Sequence, residues 1–108
     1  MNRNNVDLDD YRAVLTLVRA ASFRAASEEL GLSPSALSRQ VSALEARLGV
    51  RLFDRDTRNV TPTETGLAFA RIAERILNTA LDGMAEFDAH LSARSGHLTI
   101  AGLPSVTA

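Results

Sequence analysis

Residues 31–53 read GLSPSALSRQVSALEARLGVRLF, and the reading of this stretch decides the fold. Gly31 can take the left-handed conformation that ends a helix. Ser33-Pro34 then supplies an N-cap followed by proline at the first helical position, where its missing N–H is no loss. A helix therefore begins at Pro34. Its apolar residues Leu37, Val41, Leu44 and Leu48 recur at steps of four, three and four, a stripe that must face a core, and Gly49 can close it. Ser35, Ala36, Ser38, Arg39 and Gln40 are left facing outward near its start.

Upstream, Asp7 can cap a first helix whose apolar positions Leu8, Tyr11, Val14, Leu15 and Val18 keep the helical period to about Ala21. Ser22 caps a short second helix with Phe23, Ala26 and Leu30 on one face, ended by Gly31. Downstream, residues 50–53 and Val60-Thr61 predict two short strands around a charged turn. Thr61-Pro62-Thr63-Glu64 has the spacing of a capping box, with Thr63 as the alternative cap, and a long helix starts within two residues of Pro62.

That helix carries Ala70, Ala73, Leu77, Ala80, Met84, Phe87 and Leu91 at alternating three- and four-residue steps, as a coiled-coil seam requires. The alanines imply close backbone approach and moderate strength. Gly83 weakens the middle by up to about 1 kcal/mol relative to alanine. A second stripe, Phe69, Ile72 and Ile76, predicts that the first half packs on the first three helices while the far half projects. An intramolecular core is the rival explanation of the seam, but nothing else in the chain covers Met84 to Leu91, which favours dimerisation. From Ser95-Gly96 the helix ends, and residues 97–101 alternate like a strand without a partner, the start of a second domain.

The chain has 108 residues, 45% hydrophobic and 23% charged, which suits one soluble domain with a modest core. It has no cysteine, and His90 and His97 lie seven apart without a third ligand type nearby, so neither a disulfide scaffold nor a metal site is expected. No cofactor is expected either. No apolar run approaches the roughly 20 residues of a membrane span, and the first residues lack the apolar segment of a signal peptide, so the expected location is the cytoplasm. No nucleophile stands beside a base, and the carboxylates scatter over helix faces; the sequence shows no enzyme.

The net charge of −1 makes no bulk electrostatic case for nucleic acid, so any such case rests on where charges lie. Between residues 33 and 61, Arg39, Arg47, Arg51, Arg55 and Arg58 outnumber Glu45, Asp54 and Asp56. From 62 to 94 the balance reverses. The stretch 22–48 has the layout of a helix-turn-helix, and its second helix presents small polar side chains that reach phosphates or base edges. A capped N-terminus also offers free N–H groups to phosphate. Ser33 is a plain N-cap in any case; Ser35 and Ser38 could equally be a solvated face, and Arg39 half of an ion pair. The turn 55–59 could be an ordinary hairpin or a wing entering a minor groove, with Arg58 better placed than Arg55, while Asp54 and Asp56 oppose close phosphate approach by the whole turn. The same helices could also serve a protein-interaction module that never touches DNA.

Ala21-Ser22-Phe23, Ala26, Leu30, Ser33, Ala36-Leu37-Ser38-Arg39-Gln40-Val41, Leu44-Glu45, Leu48 through Arg55, and Thr63-Glu64-Thr65-Gly66 closely resemble the N-terminal DNA-binding region of LysR-type transcriptional regulators. The resemblance covers about residues 6–94. It implies a mainly α fold: a winged helix-turn-helix over 6–62, then a linker helix over 63–94 that pairs antiparallel with its copy in a homodimer and allows a tetramer at full length. It also implies binding to an interrupted, partly A/T-rich inverted repeat of double-stranded DNA. A C-terminal effector-binding domain of periplasmic-binding-protein type would take a small molecule, with residues 95–108 as hinge and first strand.

By position the resemblance implies Pro34, Ser35, Ser38 and Arg39 near bases, Ser33 and Gln40 near backbone or base edges, and Arg58 in the minor groove. Ala25 replaces a common phosphate contact, leaving Arg24 as substitute. Ser27 stands where the family has alanine, so its hydroxyl needs a carbonyl one turn back. Val6 occupies the place of the family's first methionine, and Met1 to Asn5 are expected to be disordered.

Overall fold

A computed structural model describes residues 6–56 and 59–95. Its elements are α1 (Leu8–Ala20), α2 (Phe23–Leu30), α3 (Pro34–Leu48), β1 (Phe53–Arg55), β2 (Val60–Pro62) and α4 (Glu64–Ser95). The fold is mainly helical with one two-stranded antiparallel sheet, the expected winged helix-turn-helix followed by a long helix. The expectations for Met1 to Asn5, for Arg58 and for the strand after residue 96 lie outside the described residues.

Each helix boundary has a local cause. The Asp7 side chain accepts from the Asp10 N–H while the Asp10 carboxylate accepts from the Asp7 N–H, a reciprocal box that starts α1. Ser22 Oγ accepts from Ala25 N, and Ser33 Oγ from Ala36 N, at 3.1 Å each. Gly31 at φ 72 and Gly49 at φ 71 end α2 and α3 in the left-handed region. Ala21 ends α1 at φ 56, so a side chain occupies a conformation that glycine would hold with less strain. The Ser27 hydroxyl donates to the Arg24 carbonyl at 2.9 Å, as expected from a serine at a tight helix crossing.

The described residues up to Leu77 form one packed unit. Val14 and Leu17 from α1, Ala26 from α2, and Leu37, Val41 and Leu44 from α3 are buried together with Leu52 and Phe53. The first strand begins three residues later than the sequence pattern suggests. The N–H groups of Leu52 and Phe53 are taken by the Glu45 carboxylate, at 2.7 and 3.1 Å, where the ladder begins. Register then pairs Phe53 with Pro62, Asp54 with Thr61 and Arg55 with Val60. Of the two candidate caps of α4, Thr63 is the one used: its hydroxyl accepts from Gly66 N at 3.0 Å and donates to the Arg51 carbonyl at 2.7 Å.

The first half of α4 corrects the division of its two stripes. Ala70 and Ala73 are buried in their own chain, at 5% and 0% exposure, while Ile72 is 44% exposed. Phe69 is half-buried and stacks on Tyr11 with ring centroids 5.3 Å apart, and Arg19 pairs with Glu74 at 2.8 Å. Small side chains let the helix backbone come close to the core, so the alanines turn inward and the bulkier Ile72 stays outside. A close approach occurs at Gly66, where an added Cβ would lie 2.0 Å from the Leu52 carbonyl oxygen. That oxygen also accepts the Thr63 N–H at 2.9 Å and cannot withdraw without loss.

Residues from Asn78 onward are a separate unit, described here to Ser95. Within it Leu81, Met84, Phe87 and Leu91 are 68%, 58%, 51% and 48% exposed, and Phe87 stacks on His90. Gly66→Ala is expected to destabilise the chain by about 1–3 kcal/mol despite its better helix propensity, because backbone must shift to admit the methyl group. Urea unfolding followed by circular dichroism checks this, and equal or greater stability would contradict the close approach.

Candidate nucleic-acid interface

Once Leu37, Val41, Leu44 and Leu48 are fixed inward, the helical period sets the rest of α3. Ser35, Arg39 and Ser42 fall opposite the buried stripe and are exposed, with Pro34 exposed at the N-terminal end. Ser38 and Glu45 flank the stripe on one side, Gln40 and Arg47 on the other; all four are half-buried. Ser33 is exposed, its Oγ 3.4 Å from Ser35 Oγ. Arg39 makes no hydrogen bond or ion pair among the described residues, so the ion-pair explanation of this side chain does not hold there.

Gln40 departs from the expectation that it faces outward. Its Nε2 donates to Asp10 Oδ1 at 3.3 Å, and Arg47 Nη2 donates to Asp10 Oδ2 at 3.1 Å. Asp10 is only 4% exposed. A carboxylate that deep needs donors on both oxygens, and the flank of α3 carrying Gln40 and Arg47 supplies them. The amide is thereby drawn toward α1.

Arg55 likewise turns toward the protein. Phe53 and Arg55 share a face of β1, and with Phe53 buried, the Arg55 side chain lies along α3. Its Nη1 donates to Ser38 Oγ at 3.2 Å and Ser42 Oγ at 3.1 Å, and its Nη2 to Glu45 Oε1 at 3.3 Å. The guanidinium also sits over the Phe23 ring, 5.0 Å from its centroid. The other Glu45 oxygen holds the Leu52 and Phe53 N–H groups. One carboxylate and one guanidinium thus join α2, α3 and the base of the hairpin.

Sequence reasoning passed over Ser42 and Glu45. The spacing offered a signal, since Ser42 lies one turn beyond Ser38 and Glu45 two turns beyond it, on the flank that the strand arginine reaches. Arg24 is exposed and 3.8 Å from Glu28, a loose surface pair. Among the described residues no group of acidic or histidine side chains could hold a metal ion, and no helix is long and apolar enough to cross a membrane.

Residues 8–67 match the family described as bacterial regulatory helix-turn-helix proteins of the lysR family. The chain belongs to that family. Among lysR-type relatives, it is 48% identical over 61 residues to the uncharacterized HTH-type transcriptional regulator YcaN of Escherichia coli (strain K12), a match covering 56% of this chain and 20% of YcaN. The matched segment spans about a fifth of that regulator's length. The DNA-binding domain of BenM in complex with benA site 1 DNA superposes with a TM-score of 0.71 at 32% identity, covering 85% of this chain and 100% of that one. Full-length CbnR complexed with its target DNA gives 0.69 at 32% identity, over 82% of this chain and 30% of CbnR.

Glu45→Ala would leave two buried backbone N–H groups and Arg55 without their acceptor. A loss of about 2–4 kcal/mol is expected, with the hairpin opening first. Hydrogen exchange at the Leu52 and Phe53 amides checks the second point; protection equal to the parent chain would contradict the bracing role.

Proposed function

We propose that this chain is the DNA-binding part of a dimeric bacterial transcriptional regulator, with α3 in the major groove of an interrupted inverted repeat. The observation that carries the reading is the exposed face Ser35, Arg39 and Ser42 on a helix capped at its N-terminus and braced from behind. Small hydroxyl side chains let the helix lie close to base edges, and the unpaired Arg39 can give a bidentate pair to guanine. Pro34 and Ser35 sit where the helix enters the groove, and Ser33 with the first N–H groups of α3 suits a phosphate. Arg24 would take a neighbouring phosphate, and Arg58, which follows β1 in the sequence, the minor groove. The DNA complexes of BenM and CbnR, both at 32% identity, support the same docking.

Gln40 and Arg55 receive different roles from those of a free base or phosphate contact, because both already have partners within the chain. The chain acts by binding and not by catalysis, in the cytoplasm where promoters are. Residues 6–62 would be the DNA-binding unit and 63–94 the linker helix. The full-length regulator would add an effector-binding domain for a small molecule and could assemble as a tetramer.

Dimerisation rests on α4. Ala70, Ala73 and Leu77 lie on the same helical stripe as Ala80, Met84, Phe87 and Leu91. Ala70 and Ala73 are buried in their own chain, whereas Met84, Phe87 and Leu91 are about half exposed, an apolar face that a second copy would cover. The contact between copies therefore belongs to residues 77–91 and not to the two inward alanines.

Selection from random duplex DNA, followed by a salt titration of the selected site, tests the function. Binding should weaken steeply with salt. A salt-insensitive interaction, or no selected sequence, would favour a protein-interaction module instead. Arg39→Ala should lose about 1–3 kcal/mol at its cognate base and flatten discrimination there; unchanged preference over scrambled DNA would remove Arg39 from base readout. Met84→Asp with Leu91→Asp should leave the fold intact and the chain monomeric, and light scattering that still gave a dimer would refute the seam.

A further inference from the structure

We infer that Arg55 sets the hydrogen-bonding polarity of α3: it holds the Ser38 and Ser42 hydroxyls as donors, so that the DNA atoms facing them are acceptors. The inference rests on the DNA-binding reading above and assigns the chemistry of that site. A serine hydroxyl ordinarily both donates and accepts and turns to suit its partner, whereas a guanidinium can only donate. Arg55 Nη1 occupies a lone pair of each hydroxyl, at 3.2 and 3.1 Å. Each O–H must then point away from the arginine. A serine in a helix commonly spends its proton on the carbonyl one turn back. Here neither Ser38 nor Ser42 donates to any acceptor among the described residues, so both protons remain for a ligand.

The arrangement is fixed in advance of binding. Arg55 is held by Glu45 and by the Phe23 ring, and its side chain is 28% exposed. Its charge is already balanced by Glu45, which makes it a positioning residue and not a phosphate ligand. In the major groove, purine N7, guanine O6 and thymine O4 accept, while cytosine N4 and adenine N6 donate. Two hydroxyls one turn apart, each with one lone pair taken and its proton directed away from Arg55, therefore favour N7, O6, O4 or a phosphate oxygen over the amino groups.

The test begins with the site that the wild-type chain selects from random duplexes. Ser38→Ala and Ser42→Ala should each flatten preference, or lower affinity, by roughly three- to tenfold, the range of one hydrogen bond. Replacing purines one at a time by 7-deazapurines, and phosphates by methylphosphonates, distinguishes a base acceptor from a backbone acceptor. The analogue that hurts wild type should not hurt the matching alanine variant.

Arg55→Met is combined with Glu45→Gln so that no unpaired carboxylate is left, and the fold is checked by circular dichroism. In that background Ser38→Ala should add less than it does in wild type, a coupling that a merely structural role would not produce. The salt slope should stay unchanged, whereas loss of about 0.9 would show that Arg55 neutralises a phosphate and overturn the proposal. Independent effects of Arg55 and Ser38 would overturn it too. Should the paired variant not fold, the single serine variants still decide, because no effect from either refutes the donor role. If the wild type selects no DNA, the DNA-binding reading falls as well; if it selects DNA and the serines are silent, only this inference falls.

Discussion

The Glu45 carboxylate is the joint on which the α3 and hairpin end of this fold depends. One oxygen takes the amides of Leu52 and Phe53, and the other takes Arg55. Leu52 and Phe53 then enter the core, the Leu52 carbonyl receives Thr63, and Gly66 brings the start of α4 against that same carbonyl. A helix side chain therefore fixes where the hairpin begins, and the hairpin fixes where the last helix begins. Because the side chain of Glu45 is only 16% exposed, water competes weakly for its oxygens and the joint is stiff.

A second carboxylate, the buried Asp10, plays the matching role on the opposite flank of α3. Asp10 closes the capping box of α1 and receives Gln40 and Arg47. With apolar contacts behind it and a carboxylate on each side, α3 has little freedom to roll. For the proposed reading of base edges that restraint matters, since a small rotation would replace Arg39 by a neighbour on the exposed face. Among the described residues Arg39 can then stay without an internal partner while its neighbours Ser35 and Ser42 have one each.

The long helix divides its apolar stripe between two uses. Ala70 and Ala73 are small and covered by their own chain, Leu77 and Ala80 are half-buried, and Met84, Phe87 and Leu91 are larger and exposed. Helical spacing alone gives both halves the same signature. Alanine suits the first half because it admits close approach to an existing core, whereas Met84, Phe87 and Leu91 present enough apolar area to reward burial by another molecule.

By itself the sequence determined the helices, their caps at Asp7, Ser22 and Ser33, the closing glycines and the inward stripe of α3. These follow from backbone sterics and from a period that neighbouring residues express together. It also determined that Ser35 and Arg39 face out, because they lie opposite that stripe. Tertiary structure alone decided which polar side chains were already engaged. Gln40 was drawn to Asp10, thirty residues away, and Arg55 to Ser38, Ser42 and Glu45, because buried carboxylates must find donors wherever the fold brings them. It also decided that Ala70 and Ala73 belong to the intramolecular core, since a spacing pattern shows that a face must be buried but not which surface buries it.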